Sequence, residues 1–214
     1  MNDAQRSSLN ELRDSAETND HRRYLSTLEV LLYPLSQTEI IRLLTPFFNE
    51  YAPKYRSWYD ASNRVYHIVE AIEKGEWTER RYRSPFDHYE GEDYVPLDRS
   101  HPGMRHFLTA LSRLQYLIPR TYNYHISPQV LGSMSAVAFD GLVEAILEEQ
   151  WSQRSRAEWE YFYKAAKQNY TLAVNKFWQV RFRANPWIVT LRCNYRLKMA
   201  SDIEALFEHR DSTN

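Results

Sequence analysis

Between Tyr161 and Ser201 the chain carries eight basic side chains and no acidic one: Lys164, Lys167, Lys176, Arg181, Arg183, Arg192, Arg196 and Lys198. Aromatic residues are interleaved with them, among them Tyr163, Tyr170, Trp178, Phe182 and Trp187. Cations strung along a segment bind phosphates by releasing condensed counterions, and exposed aromatic rings stack on unpaired bases. The composition is that of a nucleic-acid track. Arg181, Arg183, Arg192, Arg196 and Lys198 would meet phosphate, Lys164, Lys167 and Lys176 would extend the track, and Trp178 or Trp187 would stack. The competing explanation is a basic face docked on an acidic partner within the same chain. Residues 1–150 hold 16 basic and 22 acidic side chains, whereas residues 151–214 hold 11 and 6. Whether the cations share an outward face or turn inward against carboxylates decides between the two.

A second candidate surface lies in the long loop 76–101, where helical periodicity lapses. It carries Trp77, Arg80, Arg81, Tyr82, Arg83, Phe86, Tyr89 and Tyr94, with an acidic cluster at Glu90, Glu92 and Asp93. Loops of this length inside a domain tend to be functional, and Trp, Tyr and Arg dominate interface hot spots. This loop would serve a protein–protein adaptor or inhibitor.

Catalytic chemistry finds little to stand on. Gly75, Gly91, Gly103, Gly132 and Gly141 are all isolated, so no phosphate-cradling loop exists. Gly132-Ser133-Met134-Ser135 lacks the second glycine of a serine elbow. His101 and His106 are five apart, not the four that puts two ligands on one helix face. His88 sits among acidic residues without calcium-loop spacing and reads as part of a solvated acidic loop. Cys193 reads as a buried, inert thiol, and Glu148 and Glu149, which diverge by roughly 100° on a helix, as a solvated helix end. No metal, cofactor or catalytic residue is assigned, and a non-catalytic protein is expected. An enzyme with an unrecognised site is the third reading; its sign would be a polar pocket with perturbed carboxylates or histidines.

The positioning elements are mostly helical. Residues 1–19 are polar and predict a frayed helix or loose arm. Tyr24, Leu25, Leu28, Leu31 and Leu32 recur at helical spacing up to Pro34. Ser36-Gln37-Thr38-Glu39 has the capping-box pattern, and Pro46 is expected to kink or stop the helix that follows. Trp58, Ser62, Val65, Val69 and Ile72 form one stripe of a helix after Pro53. Further helices are expected from Pro102 to Pro119, from Ser127-Pro128 to about Trp151, and over roughly Ala157 to Arg181. Thr121 to Ile126 is a candidate short strand. Val189, Leu191, Cys193 and Tyr195 alternate with Thr190, Arg192 and Asn194, which predicts a half-buried strand from Trp187 to Tyr195. Ser201-Asp202-Ile203-Glu204 would then cap a short terminal helix. The expected organisation is a polar arm at 1–19, a helical domain at 20–185 and a strand–helix segment at 186–214. The fold class is mainly α: an irregular multi-helix bundle with one or two short strands near the C-terminus.

Bulk properties agree. The chain has 214 residues, 43% of them hydrophobic, with 5 glycines and 9 prolines, too few turn signals for a many-stranded sandwich or barrel. The N-terminus lacks a signal-like apolar core and no uninterrupted apolar run suggests a membrane span, so a cytoplasmic protein without a membrane partner is expected. The single cysteine excludes an internal disulfide.

The segment Asn185-Pro186-Trp187-Ile188-Val189-Thr190-Leu191-Arg192-Cys193-Asn194-Tyr195, followed by Asp202-Ile203-Glu204-Ala205-Leu206-Phe207, resembles the first strand and helix of the inovirus-type replication-protein family. That family is related to rolling-circle initiators, which use paired histidines and a tyrosine nucleophile. The resemblance implies a helical N-terminal region followed by a truncated or decayed catalytic domain. The chain has no paired-histidine motif, so nicking activity is not implied. The leading expectation is therefore a non-catalytic nucleic-acid-binding accessory protein of a phage or other mobile element, with a homodimer formed through the C-terminal strand as a further option.

Overall fold

A computed structural model describes residues 1–58, 69–70, 72, 101–114, 127–169 and 174–213. Among these residues the chain forms eight helices and no strand: α1 (Asp3–Glu17), α2 (His21–Leu32), α3 (Gln37–Trp58), α4 (Met104–Leu114), α5 (Pro128–Arg154), α6 (Arg156–Gln168), a π-helix (Val174–Phe182) and α7 (Pro186–Thr213). The mainly helical class is as expected. The candidate strand at 121–126 and, of the loop 76–101, every residue but His101 lie outside the described residues.

The N-terminal residues do not form a loose arm. Asn2 and Gln5 make a reciprocal capping box, and the helix they open buries Leu9, Leu12 and Ala16 against its neighbours. Asn19, in the left-handed region at φ 55°, turns the chain, and Asp20 caps α2 by accepting from the Arg23 amide at 3.1 Å. The capping box expected at Ser36–Glu39 is present: the Ser36 amide donates to Glu39 Oε2 at 2.8 Å. Glu39 also receives Arg210 of α7, whose guanidinium holds its carboxyl down to about 2.

Pro46 does not stop α3, nor does Pro53; the helix runs through both to Trp58. A mid-helix proline costs about 3 kcal/mol, and one large apolar side chain buried returns about 1.5–3 kcal/mol. Phe47, Phe48, Tyr51 and Tyr55, all buried beyond the first proline, outweigh both.

α5 is the central element. Ser127 caps it with Pro128 in the first turn, as expected, and α2, α3, α4, α6 and α7 all pack against it. Gly103, at φ 76°, lets the start of α4 come so close that an added Cβ would lie 2.3 Å from the Ala145 carbonyl oxygen. By length and composition α5 could also cross a membrane, but 72% of its apolar window is buried inside the protein.

The largest departure is at the C-terminus. The strand predicted from Trp187 to Tyr195 is the first half of α7, and Ser201–Glu204 lies within that helix instead of opening one. The buried residues of α7 are Ile188, Arg192, Arg196, Met199, Ala200, Ile203 and Phe207, a helical stripe. Two of its members are arginines. Counted as polar, they hide the stripe and leave only the alternation of Val189, Leu191, Cys193 and Tyr195. The residues that carry the replication-protein resemblance are thus helical, and the strand that would have joined two copies is not formed. The single helix expected over 157–181 is instead α6, which ends at extended Asn169, and the π-helix.

Gly103→Ala should lower stability by on the order of 2 kcal/mol or more, because it adds both left-handed strain and a backbone clash. A denaturant midpoint equal to wild type would show that α4 does not seat on α5 in this way.

Candidate buried charge network

Three carboxylates, Asp140, Glu144 and Glu148, recur every four residues along one stripe of α5. Opposite them α7 presents Arg192 and Arg196, also four apart. Glu144 and Arg192 form a bidentate pair, with Nε donating to Oε1 at 2.6 Å and Nη2 to Oε2 at 3.2 Å. Their side chains are only 2% and 4% exposed. Burial alone would push the Glu144 carboxyl up, but the charge and hydrogen bonds of Arg192 outweigh it and hold the group below the usual carboxylate range. Arg192 Nη1 also reaches the Arg183 carbonyl at 3.4 Å.

One turn along, Arg196 Nη2 lies 3.8 Å from Asp140 Oδ1 and donates to His21 Nδ1 at 2.8 Å. That hydrogen bond requires a neutral imidazole carrying its proton on Nε2. Burial favours the same state and lowers the His21 pKa, against the pull of Asp140. The Arg196 guanidinium also covers the Tyr24 ring at 4.7 Å, and the Tyr24 hydroxyl donates to the Arg196 carbonyl at 3.3 Å. The first turn of α2 is thereby tied to both α5 and α7.

At the other end of the stripe, Glu148 Oε2 lies 3.5 Å from His106 Nε2 of α4. Burial pushes Glu148 up to about 8, although the Gly103 amide donates to it, and burial drives His106 down to about 4. Near neutral pH the pair is a protonated carboxyl beside an uncharged imidazole. Such a pair has the proton states of a general acid and base. Its side chains are 8% and 19% exposed, however, and the His106 ring is stacked on Trp178 at 5.0 Å. This is the geometry of a packed seam between α4 and α5.

The basic residues expected to share an outward face do not do so. Arg192 and Arg196 are buried in the network. Lys198 is tied to Asp202 at 2.5 Å and covers the Phe47 ring at 5.0 Å. Arg183 is half-buried over Trp178. Arg181 and Lys164 are exposed, and the side chains of Lys167 and Lys176 lie outside what the structure describes. Neither candidate stacking ring is bare: Trp178 is buried, and Trp187 is covered by the Arg154 guanidinium at 4.6 Å. Trp77, Arg80, Arg81, Tyr82, Arg83, Phe86, Tyr89 and Tyr94 all lie outside the described residues.

Two minor expectations also change. Glu148 is not at a solvated helix end but is buried, while Glu149 pairs with Lys54 at 3.0 Å. Cys193 lies on α7, half-buried, with burial raising its thiol pKa, which disfavours the reactive thiolate. Among the described residues no cluster of His, Cys, Asp or Glu could hold a metal ion. Sequence reasoning missed Asp140, Glu144, His21 and His106 as a group. The signal was the i, i+4, i+8 run of acids inside an otherwise apolar helix.

Breaking one side of the central pair, with Glu144→Leu or Arg192→Met alone, should cost about 3–5 kcal/mol, whereas the double substitution should recover most of that loss. Additive costs in urea denaturation would show that the two groups do not depend on each other. The end pair sets a pH signature. A carboxyl raised in the folded state contributes stability that is complete below its unfolded pKa of 4.5 and lost as pH rises toward about 8. Glu148→Gln should therefore raise Tm by roughly 5 °C at pH 8.5 and change it little at pH 4.5. Equal shifts at both pH values would place the Glu148 carboxyl in solvent. His106 has the opposite sign: lowered to about 4, it contributes stability complete above 6.5 and lost as pH falls.

No protein-family model, curated protein or solved structure matches this chain.

Proposed function

We propose that this chain is a non-catalytic protein-interaction module, an adaptor or inhibitor, rather than a nucleic-acid-binding protein. The observation that carries this reading is the internal pairing of Arg192 with Glu144 and of Arg196 with Asp140 and His21. A phosphate track needs its guanidinium groups in solvent. Here two of the five cations nominated for direct phosphate contact hold helices together, a third lies over a tryptophan, and a fourth is bound to Asp202.

The exposed surface supports the same reading. Val130 and Val137 of α5 are 44% and 36% exposed, with half-buried Met134 between them. The three fall at i, i+4 and i+7, a single stripe. Val30, on neighbouring α2, is 50% exposed. Isolated apolar residues on a surface need no explanation, but a stripe on one helix is the form that partner-binding faces take. The aromatic residues of the 76–101 loop would add the large anchors that interface energetics favour.

The reading predicts weak or no retention on heparin at about 0.15 M salt, where the Debye length is about 8 Å. It also predicts a stoichiometric protein partner that co-purifies with tagged wild type and is lost in a Val130→Glu/Val137→Glu variant of unchanged circular dichroism. Tight, salt-dependent binding to a single-stranded oligonucleotide, weakened by Lys164→Ala/Arg181→Ala, would return the nucleic-acid reading to first place.

A further inference from the structure

His21 is placed where a single ring nitrogen has to choose between two partners. It opens α2, and its Nδ1 lies 2.8 Å from Arg196 Nη2 of α7 and 3.5 Å from Asp140 Oδ1 of α5. With its proton on Nε2, the neutral ring accepts from the guanidinium. The protonated ring has no lone pair left at Nδ1 and can only donate, so its partner is the carboxylate. Each protonation state thus has its own partner. The His21 side chain is 40% exposed, so protons reach it from solvent, whereas that of Arg196 is only 2% exposed.

Every element around the ring bears on that choice. Burial is the largest influence and lowers the pKa; Asp140 and Glu144 of α5 pull the other way, while Arg196 of α7 and Arg183 reinforce burial. Asp20, the N-cap of α2, is committed to the Arg23 amide, and the helix start adds partial positive charge. An imidazolium facing a buried guanidinium across 2.8 Å would set two cations against each other in a dry seam. Arg196 cannot retreat without consequence. Its Nη1 also donates to Asn19 Oδ1 at 3.5 Å, and Asn19 holds the left-handed φ of 55° that turns α1 into α2. Among the described residues, the hydrogen bonds from the turn at 18–21 to α7 both run to this one guanidinium.

We propose that His21 is a proton-operated latch on the turn between α1 and α2. Uptake of one solvent proton at Nδ1 transfers the imidazole from Arg196 to Asp140, repels the guanidinium, and frees the turn at 18–21 from α7. The step is reversible, with a single N–H bond formed or broken, and it does not depend on which partner the chain binds. A ring whose pKa is lowered on folding contributes stability that is complete above 6.5 and lost as pH falls through the folded value. Two other groups respond to acid nearby. His106 faces Glu148 at the far end of the stripe, and Asp140 has its own pKa raised by burial and by Glu144. The test therefore follows His21 itself.

NMR on the full chain between pH 7.5 and 5 reads the His21 ring and the amide protection factors together. In wild type the ring should take up a proton at Nδ1. Protection at 18–21 should fall in step, by roughly threefold or more, while the middle of α5 stays protected. His21→Gln offers Arg196 a side-chain carbonyl that cannot titrate, so protection at 18–21 should become flat over the same range. Asp140→Asn removes the carboxylate that receives the proton, so the His21 ring should titrate at lower pH. A ring that stays neutral down to pH 5 overturns the latch. So does a loss of protection that persists in His21→Gln, which would assign the effect to Asp140 or His106. If His21→Gln does not fold, Asp140→Asn decides, and an unchanged His21 titration in that variant overturns the proposal.

Discussion

The bidentate pair of Glu144 and Arg192 sits where α5 and α7 meet, and the rest of the bundle is arranged so that this pair can exist. Two charges taken out of water cost several kcal/mol each, and only close geometry with further hydrogen bonds repays them. The structure supplies both: two N–H···O contacts between the partners and a third from Arg192 to the Arg183 carbonyl. Apolar residues of α3, α5 and α7, among them Phe47, Phe139 and Met199, are buried in the same core. Because a lone carboxylate in that setting would be untenable, α7 has to be in place for α5 to be buried.

That dependence explains what was legible in the sequence and what was not. Helices with a mostly apolar inner stripe or a clear N-terminal cap could be read directly. Leu28, Leu31 and Leu32 marked α2, and Ser127-Pro128 marked the start of α5. The C-terminal helix could not be read, because Arg192 and Arg196 occupy positions where a pattern search looks for Leu or Ile. With them scored as polar, the remaining residues mimic a strand. The same rule sent the cations to the surface in the sequence reading, since arginine is seldom buried unless it is paired. Pairing is a tertiary property. The partners lie 48 and 56 positions away along the chain, and nothing local announces them.

The acidic side of the network was legible in principle. Asp140, Glu144 and Glu148 interrupt the most apolar of the described helices at a spacing of four, and solvated acids rarely choose such a place. Once that stripe is taken as buried, it demands cations from elsewhere, and the acid-free segment after Tyr161 is the obvious supplier. The charge asymmetry between the two parts of the chain is then a folding code as much as a surface property. The pairing of Arg210 with Glu39 extends the same exchange to α3, while Arg13 of α1 pairs in the opposite sense with Glu204 of α7.

The order of the contacts has a mechanical consequence. As the α5 partner steps back from Glu144 to Asp140, the α7 partner steps forward from Arg192 to Arg196, so the helices run antiparallel with their charges matched tooth by tooth. A greasy interface tolerates sliding by a turn, since one methyl group replaces another. Here a one-turn slip toward Ala136 would strand Glu144 and Arg196 in a dry setting, and a slip toward Glu148 would leave Asp140 without its guanidinium and set Arg192 on a carboxyl already held by His106 and the Gly103 amide. α7 therefore has one axial setting on α5, and the charges act as a latch that apolar packing alone could not provide.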